Sequence, residues 1–155
     1  MTNVFFMFKK LFIPSDDSDL TSMALLVARL WFGLAMLFNH GLDKFAHFKD
    51  IVGNFQDPLG FGQEASLVLV IVAEVLGSLL LTVGLFTRLA AMVLVIDMFV
   101  AFLMVHKTAM SSGGELAFVY LAGYAMLVIA GGGLFSLDTV AFSKADRSRI
   151  QKQGE

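Results

Sequence analysis

Three formally charged side chains, Arg29, Glu74 and Asp97, stand inside long apolar runs of this sequence. An isolated charge there costs on the order of 2.5–3.5 kcal/mol near the centre of a membrane helix. They must therefore face inward and pair. Counted from the run ends at 1.5 Å per residue, all three fall roughly 10 to 18 Å from one membrane face, which puts them in one band of depth. One arginine cannot neutralise two carboxylates, so one acid would hold a proton, and that suits a proton-coupled step. The plainer alternative is an interhelical clamp between Arg29 and one acid, because buried ion pairs often set packing rather than chemistry. Tyr120 and Tyr124 lie one turn apart. If they point inward they need hydrogen-bond partners, which Arg29 or Glu74 could supply; ordinary packing is their plainer role.

A second set gathers at the ends of the runs. His40, Asp43, Lys44, His106, Lys107 and Glu115 fall at a similar level, with His47 on the adjoining loop. Histidines and carboxylates there could hydrogen-bond a quinone head group or ligate a metal. The simple alternative is a ring of snorkelling interfacial residues. No tight spacing such as H-x-x-x-H appears, so no metal site is expected. A b-type haem held by His40 and His106 is a third option. His106 follows Asp97 by nine residues, about 180° around a straight helix, so the two should not share a face. Glu115 closes Ser112-Gly-Gly-Glu115, a capping-box pattern for the helix that follows.

The elements that position these residues follow from composition. Of 155 residues, 57% are apolar and only 15% charged, and mean hydropathy is +0.79. Too little polar surface remains to cover a soluble enzyme. Four runs, about Met23 to Leu42, Ala65 to Phe86, Leu89 to Val105 and Leu116 to Leu134, approach or reach the roughly 20 residues that cross 30 Å of hydrocarbon. The expected fold is all-α, an integral membrane four-helix up-down bundle, and with only Thr87 and Arg88 between runs two and three those helices form a tight hairpin. Arg29, Gly33, Met36 and His40 recur at helical spacing and share a stripe. Glu74, Ser78 and Leu81 form another, beside the small pair Ala73 and Gly77.

Residues 1–21 form the N-terminal segment, without a cleaved signal pattern and with an interfacial helix expected over Phe5 to Phe12. Residues 22–138 make the four-helix domain and 139–155 a polar tail. Lys9, Lys10, Arg88, Lys144, Arg147, Arg149 and Lys152 outnumber Lys44, Lys49 and Lys107 on the other side, which places both termini in the cytoplasm. Phe45, Phe48, Ile51, Val52 and Phe55 predict an amphipathic turn over the outer mouth, broken by Pro58, Gly60 and Gly62. Gly84-Leu-Phe-Thr87 and Gly133-Leu-Phe-Ser136 form a short internal repeat. The absence of cysteine excludes thiol exchange, iron–sulfur ligation and covalent haem within the chain. A pI near 5.9 with no basic stripe excludes a nucleic-acid binder.

Several motifs, in order, resemble the DoxX family of small four-helix membrane proteins. They are Arg29-Leu-Trp-Phe-Gly33, Asn39-His40-Gly41-Leu-Asp-Lys44-Phe45, Glu74-Val-Leu-Gly77 and Gly84-Leu-Phe-Thr-Arg88-Leu-Ala90-Ala91. His106, Gly113-Gly114-Glu115-Leu-Ala117 and Gly131-Gly-Gly133-Leu-Phe-Ser136-Leu-Asp138 complete the match, over about Ala24 to Asp138. The resemblance implies redox work, since relatives are associated with a thiosulfate:quinone oxidoreductase and with a membrane oxidoreductase complex in thiol and oxidative stress. It singles out Arg29, Lys44, Glu74, His106 and Glu115; Asp97 and His40 rest on the residues alone. The expectation is a subunit of a quinone-linked or thiol/sulfur redox system in a bacterial cytoplasmic (inner) membrane. It would bind quinone or a small molecule in a polar interior, with an oxidoreductase partner supplying the electron donor and no cofactor of its own. The alternative is a non-enzymatic scaffold or small transporter whose buried charges are structural. Small-residue rows permit a homodimer.

Overall fold

Runs of Leu, Val, Ala, Met and Phe interrupted by few polar residues fold as helices, because in a bilayer each backbone N–H and C=O must be satisfied within its own segment. The computed structural model describes residues 19–105, 107–110 and 113–142. The expected interfacial helix over Phe5 to Phe12 and most of the polar tail lie outside them. α1 spans Asp19–Ala46, α3 Gln63–Val83 and α4 Thr87–Val105, and these three are long and apolar enough to cross a membrane. A short α2, Phe48–Ile51, stands between α1 and α3. α5, Gly114–Ala130, is an apolar helix of 17 residues. A last helical stretch, α6, covers 137–142.

Two boundaries differ from expectation for physical reasons. The fourth run was expected to continue to Leu134, but Gly131 and Gly133 adopt φ of 83° and 72°, which end α5 and turn the chain back into the bundle. α1 reaches past both expected ends, and it passes through a π-helical turn at Leu37–Gly41. α4 ends in a second such turn, Ala101–Val105.

α1 packs on α3, α3 on α4, α4 on α5 and α5 on α1, an up-down ring. Its centre holds Leu25, Met36, Leu81, Leu94, Tyr124 and Leu127, all buried, while Val27, Trp31, Leu69 and Ile129 point outward. So many exposed large apolar side chains suit lipid rather than water. Both expected stripes face inward: Arg29, Gly33 and Met36 are buried on α1, as are Glu74, Ser78 and Leu81 on α3. Gly33 and Gly41 let the two helices approach closely. A Cβ at Gly33 would collide with the Thr82 hydroxyl, and one at Gly41 would lie 3.1 Å from the Val75 amide nitrogen.

The helical turns expected around Phe45 to Phe55 form as the end of α1, α2 and a 3-10 turn at Val52–Asn54. Beyond Pro58 the loop is tied to α3 by Asp57, whose carboxylate accepts hydrogen bonds from the Phe61 amide (3.0 Å), the Gly62 amide (2.8 Å) and the Ser66 hydroxyl (2.7 Å). The Ser66 hydroxyl, helped by the backbone amides, holds the Asp57 carboxyl below the usual aspartate range. A carboxyl depressed by folding stabilises the folded loop above its ordinary value of about 3.9 and loses that contribution as pH falls through the lower, folded value. The difference in amide protection of residues 57–66 between wild type and Asp57→Ala should thus be full at neutral pH and vanish in acid. A difference that stays constant down to strong acid would contradict this account.

Candidate functional site

Two polar centres lie inside the bundle, at opposite ends. The first, at the end that carries the 47–62 loop, is built on α1, α3 and α4. Lys44 Nζ donates to both oxygens of Glu74, at 2.6 and 2.8 Å. Glu74 is 2% exposed and Lys44 22%, so this ion pair is largely desolvated. The close approach at Gly41 and the π turn before it bring Lys44 over α3; such turns are common at functional sites. Asp97 of α4 borders the same space, and its Oδ2 is buried with no hydrogen-bond partner among the described residues. Two acids therefore share one lysine.

Above these groups opens a cavity of about 440 Å³. Its polar end is Lys44, Glu74 and Asp97, with His40 and Tyr120 beside them. The His40 ring meets Tyr120 edge-on at 5.6 Å between centroids. Most of the remaining wall is apolar, with Val70 and Ala73 of α3 facing Val93 and Val100 of α4, and Phe55, Pro58, Leu59 and Phe61 of the loop form a roof. An apolar pocket of this size with a few convergent polar groups is the usual form of a small-molecule site.

The second centre joins the opposite end together. Arg29 is 0% exposed; its Nη2 donates to the Phe135 carbonyl at 2.9 Å. Its Nε and Nη1 have no hydrogen-bond partner among the described residues. Asp138 supplies the opposing charge. The Asp138 carboxylate accepts from the amides of Phe86 (2.6 Å) and Thr87 (2.8 Å), so it caps the N-terminus of α4 from a distant part of the chain. Its own amide donates to the Gly84 carbonyl at 2.9 Å. The Leu134 amide donates to Ser22 Oγ at 3.1 Å, and Ser136 Oγ, donating to the Gly133 carbonyl at 2.8 Å, accepts from the Thr139 amide that opens α6. The two copies of the short repeat thus lie side by side. Each begins on a left-handed glycine, Gly84 at 74° and Gly133 at 72°, and each leads into a helix.

The expected pairing of Arg29 with Glu74 or Asp97 is therefore replaced by Arg29 with the 131–138 segment and Glu74 with Lys44. The cause is the direction of side chains on a helix, which lean toward its N-terminus. Arg29 leans down α1 toward Gly84, away from Glu74. Lys44 leans back into the bundle, and Glu74, on the antiparallel α3, leans up to meet it. The tyrosines also find other partners than Arg29 or Glu74. Tyr124 donates to the Phe32 carbonyl at 3.3 Å, and Tyr120 stacks on Tyr124 at 5.8 Å.

Among the described residues of the end set, His40 and Lys44 line the cavity and the others stand apart from it. Lys44 turns inward, and His47 pairs with Asp43 at 3.1 Å on the surface. Glu115 is exposed beside a separate shallow depression near Met110 and Val119. His106 lies outside the described residues. So does Ser112, on which the expected capping box rests; α5 starts from Gly113 at φ 87°. Asp138 closes the last of the family motifs but has no role on spacing alone. The signal that could have found it is its place in a Ser-x-Asp step just after three glycines, where a helix N-terminus must be satisfied.

The DoxX family model matches residues 24–107, which covers most of α1, the roof loop, α3 and α4. A Haemophilus influenzae protein described as uncharacterized is 33% identical over 116 residues, 70% of this chain and 84% of that protein. No solved structure gives a significant match. With its family model spanning more than half of the sequence and this relative extending the likeness, the chain belongs to the DoxX family of membrane proteins.

Proposed function

We propose that this protein is a membrane subunit of a redox system that binds a quinone-type head group in the roofed cavity, while a partner protein supplies the electron donor. The observation that carries this reading is the conjunction of an apolar cavity of about 440 Å³ with a desolvated Lys44–Glu74 pair and an unpartnered Asp97 oxygen at one end. A quinone head presents two carbonyl acceptors. Lys44 has three N–H donors and directs bonds to two Glu74 oxygens, which leaves a third for a ligand carbonyl. The Tyr120 hydroxyl and the His40 ring offer further donors at the same level. Glu74 fixes the lysine, the apolar walls exclude water, and Asp97 Oδ2 is a place to hold a proton next to the ligand. A bound quinone supplies two-electron carriage coupled to two protons. The orientation we propose puts the roofed end outside a bacterial cytoplasmic membrane and both termini inside.

The test is native mass spectrometry with lipid extraction on detergent-purified protein. Quinone should accompany the wild type and fall at least about tenfold in Lys44→Met and Glu74→Gln, each checked for monodispersity. Folded wild type without quinone would favour the non-enzymatic reading, scaffold or small transporter. One observation supports that second reading for half of the buried charge: Arg29 is enclosed, and its hydrogen bond goes to backbone in the same chain.

A further inference from the structure

We infer that the cavity is loaded sideways from the bilayer, through a portal between α3 and α4, and that its ligand carries an alkyl or isoprenoid tail that remains in that portal. This rests on the reading of the cavity as a head-group site. On α3 and α4 three lining residues are also surface residues, Leu69 at 54%, Val93 at 38% and Ile96 at 59% exposure; Leu59 and Phe61 of the roof and Leu116 of α5 are exposed lining residues too. A side chain that both lines a cavity and faces outward marks a place where the wall is one side chain thick. Leu69, Val93 and Ile96 belong to helices long and apolar enough to cross a membrane, so the surface around that part of the wall is lipid.

Ala73, one turn along α3 from Leu69, puts a small side chain on the cavity wall. Facing it on α4, Val93, Ile96 and Val100 recur at helical spacing along the other wall. The path toward water differs. There Phe55, Pro58, Leu59 and Phe61 form an apolar roof, which Asp57 folds on itself through the Phe61 and Gly62 amides and ties to α3 through the Ser66 hydroxyl. No charged residue of the roof lines the cavity among the described residues, whereas a lipid-dissolved molecule meets a side opening walled like the bilayer itself. Inside, the charged groups lie together around Lys44, Glu74 and Asp97 and, apart from Gln56 and Ser66 at the loop end, the rest of the wall is largely apolar. That arrangement fits an amphiphile with its head inward. A space of about 440 Å³ holds a ring-sized head and the start of a tail, so a longer tail must leave through the mouth.

Photolabelling in nanodiscs tests this with two probes, a ubiquinone head group without a tail that carries a photoreactive azide, and the same head with a ten-carbon tail that carries a diazirine. The diazirine should label peptides containing Leu69 to Ala73 and Val93 to Val100. Leu69→Trp, narrowing the mouth from α3, should cut labelling by the tailed probe about tenfold and leave the tail-less probe within about twofold. Ile96→Trp, narrowing the mouth from α4, should do the same and serves if Leu69→Trp does not fold. Labelling of the 55–61 roof instead, undiminished labelling of both variants by the tailed probe, or equal loss of both probes would overturn the portal while leaving the head-group site in place. If neither probe labels the wild type, the cavity reading itself falls and the portal with it.

Discussion

Gly84→Ala is expected to lower the unfolding free energy by about 2–5 kcal/mol, from an αL penalty of about 1–2 for a non-glycine residue and overpacking of about 1–3. Gly84 holds φ at 74°, and an added methyl would meet the Arg29 guanidinium and lie 2.8 Å from Ser136 Cβ. Neither neighbour can retreat cheaply. Arg29 is fully buried and bonded to the Phe135 carbonyl, and Ser136 is held by Gly133 and Thr139. The shift would also disturb the Gly84 carbonyl, which accepts from Asp138, and hence the two bonds that cap α4. Gly53→Ala is the matched control: its Cβ would meet nothing within 4 Å. It should change stability by no more than about 0.5–1 kcal/mol, the scale of an unstrained glycine replacement. Denaturant unfolding of both variants in detergent decides the matter. Because Arg29 and Gly84 touch, Arg29→Met should relieve part of the Gly84→Ala loss, a non-additivity expected only for residues in contact. Equal, small effects of the two glycine substitutions would show that this junction is looser than its geometry implies.

The bundle was legible because membrane helices announce themselves by length and hydropathy, and Arg29, Glu74 and Asp97 stood out against that background. What linear spacing could not give was the partner of each charge. Depth along a run locates a Cα, yet Arg and Lys heads sit well away from theirs, in a direction set by the helix that carries them. By Cα depth Arg29 and Glu74 share a level, yet they belong to different centres, and Lys44, an outer-mouth candidate by position, reaches into the bundle. The turn at Gly131 is hidden for a related reason: three apolar-compatible glycines continue a hydropathy run, but positive φ at Gly131 and Gly133 ends the helix. The repeat was visible as four matching residues, and its use, two glycine turns docked with Asp138 between them, needed the third dimension.

Lys44→Met should separate what the buried charges do for stability from what they do for a ligand. Removing the lysine leaves Glu74, 2% exposed, as an uncompensated carboxylate, and breaking a buried pair in this way costs on the order of 3–5 kcal/mol. Glu74→Gln in the Lys44→Met background removes the stranded charge, and replacing both partners of a buried pair is often close to neutral. The double variant should therefore regain most of the unfolding midpoint lost by Lys44→Met. Quinone retention should not return with it, because the lysine N–H that faces the cavity is gone in both proteins. A clamp predicts the opposite coupling, in which any binding measured follows stability and recovers in the double variant. Unfolding in detergent and native mass spectrometry on the same four proteins, wild type, the two single variants and the double, give both readouts. If stability recovers while quinone stays absent, the pair orients a ligand. If both recover together, Lys44 and Glu74 only hold α1 to α3, and the ligand contacts must be sought at Asp97, Tyr120 and His40.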